Sequence, residues 1–544
     1  MPLLNHFQSL LNEEWHQIKL TSRPNVAITL LTTSSFKNNE NIVKLQVAVA
    51  NDKDSSPISK IRLEVEECQD VISWDIEEKL HNDLLKGGDQ PILYHLSLKL
   101  NPYLTEKAIS VGINCIYENS NNKEEQKHQY LSVRFYSEDE YEPFDNPYNA
   151  GDTVENRNMF FGRDNFINNL VNVMQSSHSK QLIFYGQKRS GKSSVLYWLQ
   201  KELEKHGAFC ARFSMGILRR DLRDVTFFYQ ILYTITRTLS KIKGEKPAFN
   251  IPKIKEFEAE NPTNPVQTFS AYMAEFKDAC KSTLGWENKL IVIMIDEFTY
   301  IYTGIKEGKV DYTIMQQWKS VIQDPDSSFA SVLVGQDVIP YFKEEEYARN
   351  VFQMMDDHRL NYLELSDAKD LIEQPIGKQR YASGAVEMIL QLTACNPYYI
   401  QMLCGELVSE MNRKKSIIAT IADVTDVAQR IIKRLTFEDF DNLISPGDAI
   451  TIDGITEKTT AAVLYRIAKL TETKEYCTLP DIVAFFKEDL LVDEKMIIEK
   501  VLTNLFNREV IEQKSGMYRI KVKLFQQWML NQSPETASLK EQVK

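Results

Sequence analysis

The chain has 544 residues, 43% of them hydrophobic and 26% charged, a balance typical of folded globular domains that excludes disordered, collagen-like and disulfide-scaffold classes. That length predicts three or four domains, each able to bury a core of its own. A net charge of -12 and a pI near 5.4 repel polyanions over the surface as a whole, which excludes generic nucleic-acid coating but not one locally basic module.

The first twenty residues, MPLLNHFQSLLNEEWHQIKL, contain neither a basic leader nor a small-residue cleavage site, and no apolar run approaches the roughly 18 residues of a membrane span. A cytoplasmic protein with no membrane association is expected. The seven cysteines form no Cys-x-x-Cys pair and the eight histidines no zinc pattern, so reduced thiols are expected and a protein-built zinc site is not.

In chain order, a short amphipathic helix is predicted from about Leu4 to Ile18. Six β-branched, alternating segments follow between residues 22 and 136 (NVAITLLTT, IVKLQVAVAN, ISKIRLEVEE, PILYHLSLKL, AISVGINCIYE and YLSVRFYS), separated by polar turns. They predict an immunoglobulin-like β-sandwich over residues 1–140. An acidic stretch with proline and glycine, 141–158, reads as a linker.

From Met159 strand and helix alternate, the pattern of a parallel sheet covered by helices on both faces, and residues 159–365 are assigned to a three-layer αβα core. Its candidate strands are QLIFY, AFCARFS, LIVIMI, ASVLVG and, at 360–365, LNYLEL. Helical segments over 366–440 read as a lid. Three further helical segments and a strand–Gly turn–strand over 455–531 read as a winged helix, with 532–544 as a tail.

Gly186-Gln187-Lys188-Arg189-Ser190-Gly191-Lys192-Ser193 matches G-x-x-x-x-G-K-[ST] and lies between an apolar strand and a helix. Its backbone amides and helix N-terminus suit a polyphosphate, with Lys192 reaching the β- and γ-phosphates, Ser193 a magnesium ligand, and Ser194 assisting at the α- and β-phosphates. About a hundred residues on, the apolar run from Leu290 to Ile295 ends in Asp296-Glu297. There Asp296 is expected to hold magnesium and Glu297 to polarise the attacking water. ATP with magnesium is the expected ligand, because no Asn-Lys-x-Asp guanine-reading motif occurs. Gln336, at the end of the next strand beside Asp337, is the expected sensor of hydrolysis. Arg219, Arg220, Arg223 and Arg359 are candidates for an arginine finger.

Phe160-Phe161-Gly162-Arg163-Asp164 before the P-loop, Asp296-Glu297 after it, and Pro397-Tyr398 in a later helix together resemble the STAND signalling ATPases and the related origin-recognition-type AAA+ ATPases. The resemblance spans about residues 145–530. It implies a base-side role for Gly162 and Arg163 and a nucleotide-proximal one for Pro397; Cys395 stands where the STAND Gly-x-Pro motif has glycine. It further implies a slow ATPase switch in prokaryotic stress signalling or antiphage defence. Such a switch would act by self-assembly or through a protein partner at the β domain or winged helix. The alternative is a DNA-binding AAA+ ATPase of replication-origin or transposition-regulator type.

In the winged-helix candidate, Ile497, Ile498, Val501, Leu502 and Leu505 form the apolar face of the recognition helix, while Glu494, Glu499, Lys500, Asn504 and Arg508 are expected to point outward. The mixed charge of that outward set favours protein contact over DNA reading.

Overall fold

The computed structural model describes residues 23–531 except for 32–33, 38–39, 54, 78–79, 90, 137–140, 176–179, 244–250, 261–263, 287–288, 325–328, 446–454 and 485–491. The expected helix at Leu4 to Ile18 and the tail at 532–544 lie outside the described residues. Two compact units emerge: Met1–Asn149 with Ile372–Leu390 and Gln401–Arg430, and Ala150–Leu371 with Gln391–Ile400 and Ile431–Lys544.

In the first unit the alternating segments form β1 (Val26–Leu30), β2 (Ser34–Phe36), β3 (Ile42–Asn51), β4 (Ser59–Val65), β5 (Val71–Ile76), β6 (Ile92–Leu100), β7 (Ala108–Glu118) and β8 (Glu124–Tyr136). They make two four-stranded sheets, ordered β1-β3-β6-β5 and β2-β8-β7-β4. Val43, Leu45, Val47 and Val49 of β3 and Val111, Ile113 and Cys115 of β7 alternate into one shared apolar core. That period of two follows from side chains leaving a strand on opposite faces.

Also in this unit, His95 of β6 is buried, lies 3.1 Å from Gln46 Nε2 and accepts the Ser383 amide on Nδ1 at 3.0 Å. Burial pushes its imidazole down to about 4. A second buried knot joins Tyr148 and Tyr381, whose hydroxyls both donate to the Ile372 carbonyl at 2.7 and 2.8 Å.

The second unit is built on β9 (Gln181–Tyr185), β10 (Phe209–Ser214), β11 (Ile291–Asp296), β12 (Ala330–Gly335) and β13 (Asp356–Arg359), all parallel and ordered β10-β11-β12-β9-β13. Successive residues serve opposite faces. Leu182, Phe184, Val292, Met294, Val332 and Val334 pack with the helices Asp164–Gln175 and Lys192–Lys205. Ile183, Ile293, Ile295 and Leu333 pack on the other side with Phe227, Phe228, Phe269 and Trp318. Both faces being covered explains why these strands read as continuous apolar runs.

The fifth strand corrects the expectation. It is formed by the polar Asp356–Arg359 rather than by 360–365, and residues 360–364 continue as coil. An edge strand paired only with β9 needs no apolar run, and Leu360 enters the core beneath the P-loop instead.

C-terminal to residue 455 lie the helices Glu457–Leu470, Leu479–Ala484, Val492–Asn507 and Lys523–Asn531, with β14 (Cys477–Thr478), β15 (Ile511–Lys514) and β16 (Met517–Ile520) ordered β14-β16-β15. Positive φ at Ser515 and Gly516 turns β15 into β16. Ile498, Val501, Leu502 and Leu505 are buried as expected, with Ile497 partly so. Asn504 and Arg508 are not outward but buried, a second correction. Arg508 donates to the carbonyls of Asn442 at 2.7 Å, Ser445 at 2.8 Å and Ile444 at 3.3 Å, while Asn504 donates to the Tyr341 hydroxyl at 2.5 Å. Helical periodicity places a residue on a face but does not reveal what that face meets.

Candidate nucleotide site

The P-loop leaves β9 at Gly186, where a Cβ would lie 2.4 Å from the Leu360 carbonyl oxygen, so any side chain there would force the loop off the sheet. Gly191 caps the following helix at φ +92, a conformation that glycine adopts without strain. Between them the Ser190 hydroxyl is buried and has no hydrogen-bond partner among the described residues. An unsatisfied polar group inside an anion-shaped loop fits a phosphate.

Lys192 Nζ donates to the carbonyls of Gly186 at 3.0 Å and Gln187 at 2.5 Å. Burial pushes its ammonium down to about 8 against the opposing pull of Asp337, Asp296 and Glu297. Ser193 Oγ donates to Asp296 Oδ2 at 2.9 Å, bringing together the two predicted magnesium ligands from the helix and from β11. A hydroxyl and a carboxylate from facing elements fit this hard, oxygen-seeking cation.

Glu297 sits at φ +58, in the left-handed region, immediately beyond the strand. Its Oε2 accepts the hydroxyl of Ser214, and its Oε1 lies 3.5 Å from the Tyr300 hydroxyl. Ser214 ends β10 in direct register with Asp296, so the adjacent strand supplies the hydroxyl that fixes this carboxylate. Sequence reasoning did not single out Ser214. A polar residue ending the strand before the acidic one was the available signal.

Gln336 is half-buried at the tip of β12, and its neighbour Asp337 is the buried one. Asp337 Oδ1 accepts from Arg359 Nε at 3.3 Å, and burial raises its carboxyl while Arg359, Arg508 and Lys192 oppose the rise. Of the arginine-finger candidates, Arg359 is thus tied into its own chain and Arg223 is paired with Asp221 and Glu258 at 2.7 Å. Arg219 stacks 5.6 Å from the Tyr300 ring and Arg220 is exposed.

Gly162 has φ +69, and a Cβ there would meet Asp367. Arg163 is buried beneath the loop, donating to the carbonyls of Asn361 at 2.7 Å and Ser190 at 3.4 Å. Its guanidinium is pushed down to about 10 by burial, opposed by Asp367, Glu509 and Glu364. The Ser194 hydroxyl accepts the Val154 amide at 2.9 Å.

Pro397 opens the helix Pro397–Lys414, where its missing N–H costs nothing, and Asn396 Oδ1 caps the Tyr398 amide at 2.9 Å. Cys395 lies at φ +61, the conformation for which glycine is suited.

The variable P-loop residues point their side chains away from the phosphate position. Gln187 donates to the Arg508 carbonyl and accepts from the Tyr362 hydroxyl. Lys188 pairs with Asp441 at 2.8 Å, and Arg189 donates to the carbonyls of Asp439 and Glu438 with its guanidinium 4.5 Å from the Tyr398 ring. Only their backbone remains for a phosphate.

No protein-family model matches the sequence, and no curated protein matches it either. Among solved structures the chain is similar to a Walker-type ATPase of Pyrococcus abyssi at 14% identity and TM-score 0.47, with 69% of this chain and 97% of that one covered. It is also similar to the ORC2 protein of Aeropyrum pernix in ADPNP and ADP complexes, at 11% identity and TM-score 0.47, covering 73% and 97%. A third similar structure is Cdc6p of Pyrobaculum aerophilum, at 13% identity and TM-score 0.34, covering 74% and 98%. Likeness at these identities and scores assigns no role to any residue.

Proposed function

We propose that the protein is a magnesium-dependent ATPase acting as a STAND-like molecular switch, with an N-terminal β-sandwich, a helical lid and a C-terminal winged helix around the P-loop core. The observation that supports this most directly is Ser193 Oγ at 2.9 Å from Asp296 Oδ2, with Glu297 next in the chain, at the C-terminal ends of a parallel sheet. Bound between Ser193 and Asp296, magnesium would neutralise charge on the phosphate oxygens. Lys192 would exchange the Gly186 and Gln187 carbonyls for the β- and γ-phosphates, and Glu297, held by Ser214, would take a proton from water. The base would lie toward Gly162, Arg163 and Pro397, and Gln336 or its neighbour would sense the terminal phosphate.

ATP occupancy shifts a switch only if its two states bind ATP differently. Contacts from Gln187, Lys188 and Arg189 to 438–441 and Arg508 offer such a difference, since they tie loop geometry to the C-terminal region. Nucleotide-dependent self-assembly or partner control in prokaryotic signalling or antiphage defence is the role this reading assigns.

A DNA-handling ATPase of origin-recognition type would share the entire site and differ at the C-terminal helices. Duplex titration at several salt concentrations separates the two, because DNA affinity must fall steeply with salt. The site itself is tested by ATPase assay and calorimetry with Mg-ATP. Lys192→Ala should weaken binding, and Glu297→Gln should keep binding while slowing phosphate release by about a hundredfold or more. Unchanged turnover in Glu297→Gln would remove Glu297 from the chemistry; a folded parent protein that takes up no Mg-ATP would end the ATPase reading.

A further inference from the structure

Arg359 ends β13 in register with Tyr185, the last residue before the P-loop, and the Leu360 amide donates to the Tyr185 carbonyl at 2.7 Å. The guanidinium therefore starts one residue away from Gly186. Three of its contacts are settled: Nε to Asp337 Oδ1 at 3.3 Å, Nη1 to Asn361 Oδ1 at 2.8 Å, and Nη1 to Glu509 Oε2 at 3.2 Å. Its remaining nitrogen, Nη2, is buried without a partner among the described residues, and so is Asp337 Oδ2. Asp337 also lies within electrostatic reach of Lys192 and Arg508, so one buried carboxylate stands amid three cations at the mouth of the sheet. Cations that close around a carboxylate suit a phosphate oxygen at least as well, and an arginine presents its donors in a fork matched to it.

Glu509 has a second partner. It follows the helix Val492–Asn507 and also takes Lys521 Nζ at 3.3 Å, so losing Arg359 would not strand its charge.

Building on the ATPase reading, we propose that Arg359 reads the terminal phosphate within its own chain: Nη2 takes up a γ-phosphate oxygen, and the guanidinium gives up Glu509 in exchange. Triphosphate then weakens the hold of the sheet edge on the helix Val492–Asn507, whereas diphosphate, lacking that oxygen, leaves the Arg359–Glu509 pair closed. Arg359 is accordingly unavailable as a finger for a neighbouring subunit.

The test uses the full chain with two probes, Mg-AMP-PNP and Mg-ADP, titrated calorimetrically. In Arg359→Gln the ratio of the ADP to the AMP-PNP dissociation constant should fall about tenfold, with ADP affinity nearly unchanged. A merely structural role would weaken both alike, and an unchanged ratio overturns the assignment. Glu509→Gln should tighten AMP-PNP severalfold without altering ADP. It should also speed hydrogen exchange in Val492–Asn507 in the absence of nucleotide to the rate that AMP-PNP produces in the parent. No change in either quantity overturns the proposal even if Arg359→Gln fails to fold. Binding of both probes by the parent with the same ADP to AMP-PNP ratio in the variants sinks only the role of Arg359; binding of neither by the parent sinks the ATPase reading as well.

Discussion

Lowering the pH should loosen the first unit through a single imidazole. His95 is buried at the edge where β6 meets the Tyr381–Ser383 segment, accepts the Ser383 amide at 3.0 Å, and has its pKa pushed from 6.5 to about 4, first by burial and then by Lys44, with the Tyr381 backbone acting in the opposite sense. Because the folded value lies below the unfolded one, the unfolded chain binds the proton more tightly. The associated stability is complete above about pH 6.5 and is lost as pH falls toward 4. At ~1.4 kcal/mol per unit, about 2 kcal/mol should be gone by pH 5 and about 3 kcal/mol in all. The buried carboxyl of Glu410, held down to about 2 chiefly by Arg413, titrates below this window. Urea unfolding followed between pH 7.5 and 5 is the assay, with His95→Gln as the control, since a glutamine amide oxygen can still accept the Ser383 N–H. The parent should lose stability over that range and the variant should stay nearly flat; parallel curves would mean that His95 does not report on this contact.

Two further substitutions probe the candidate nucleotide site. Ser214→Ala removes the hydroxyl that holds Glu297, and a hydrogen bond to a charged group contributes about 1.5–3 kcal/mol, so kcat should drop about tenfold or more with KM little changed. Unaltered steady-state turnover would show that Ser214 does not orient the carboxylate. Cys395→Gly relieves a side chain held at φ +61 and should leave the melting temperature unchanged or raise stability by up to about 1 kcal/mol. A clear loss of stability would indicate that the Cys395 thiol packs more favourably than the backbone is strained.

The P-loop and the acidic strand end are legible in the sequence because their chemistry is local: glycine where a Cβ collides with Leu360, and an apolar run ending at Asp296. The buried strands β9, β11 and β12 are legible for the same reason, since burial on both faces leaves a continuous apolar word. What escapes is set by partners distant in sequence. DDHR forms a strand because β9 offers it an edge, and Asn504 and Arg508 are interior because Tyr341 and the 442–445 carbonyls face them. Ser214 acquires its meaning from a strand register that fixes it beside Asp296. None of these pairings leaves a periodic trace along the chain.

The tethering of Gln187, Lys188 and Arg189 has a bearing on how this P-loop should be compared with others. Triphosphate recognition constrains the glycines, the lysine and the hydroxyl, and leaves the intervening letters free. Here those letters answer to residues some 250 to 320 positions downstream, so their identity records the chain's own C-terminal third and not its ligand. A loop grafted from an ATPase could keep every atom that touches phosphate and still lose the linkage that is particular to this protein.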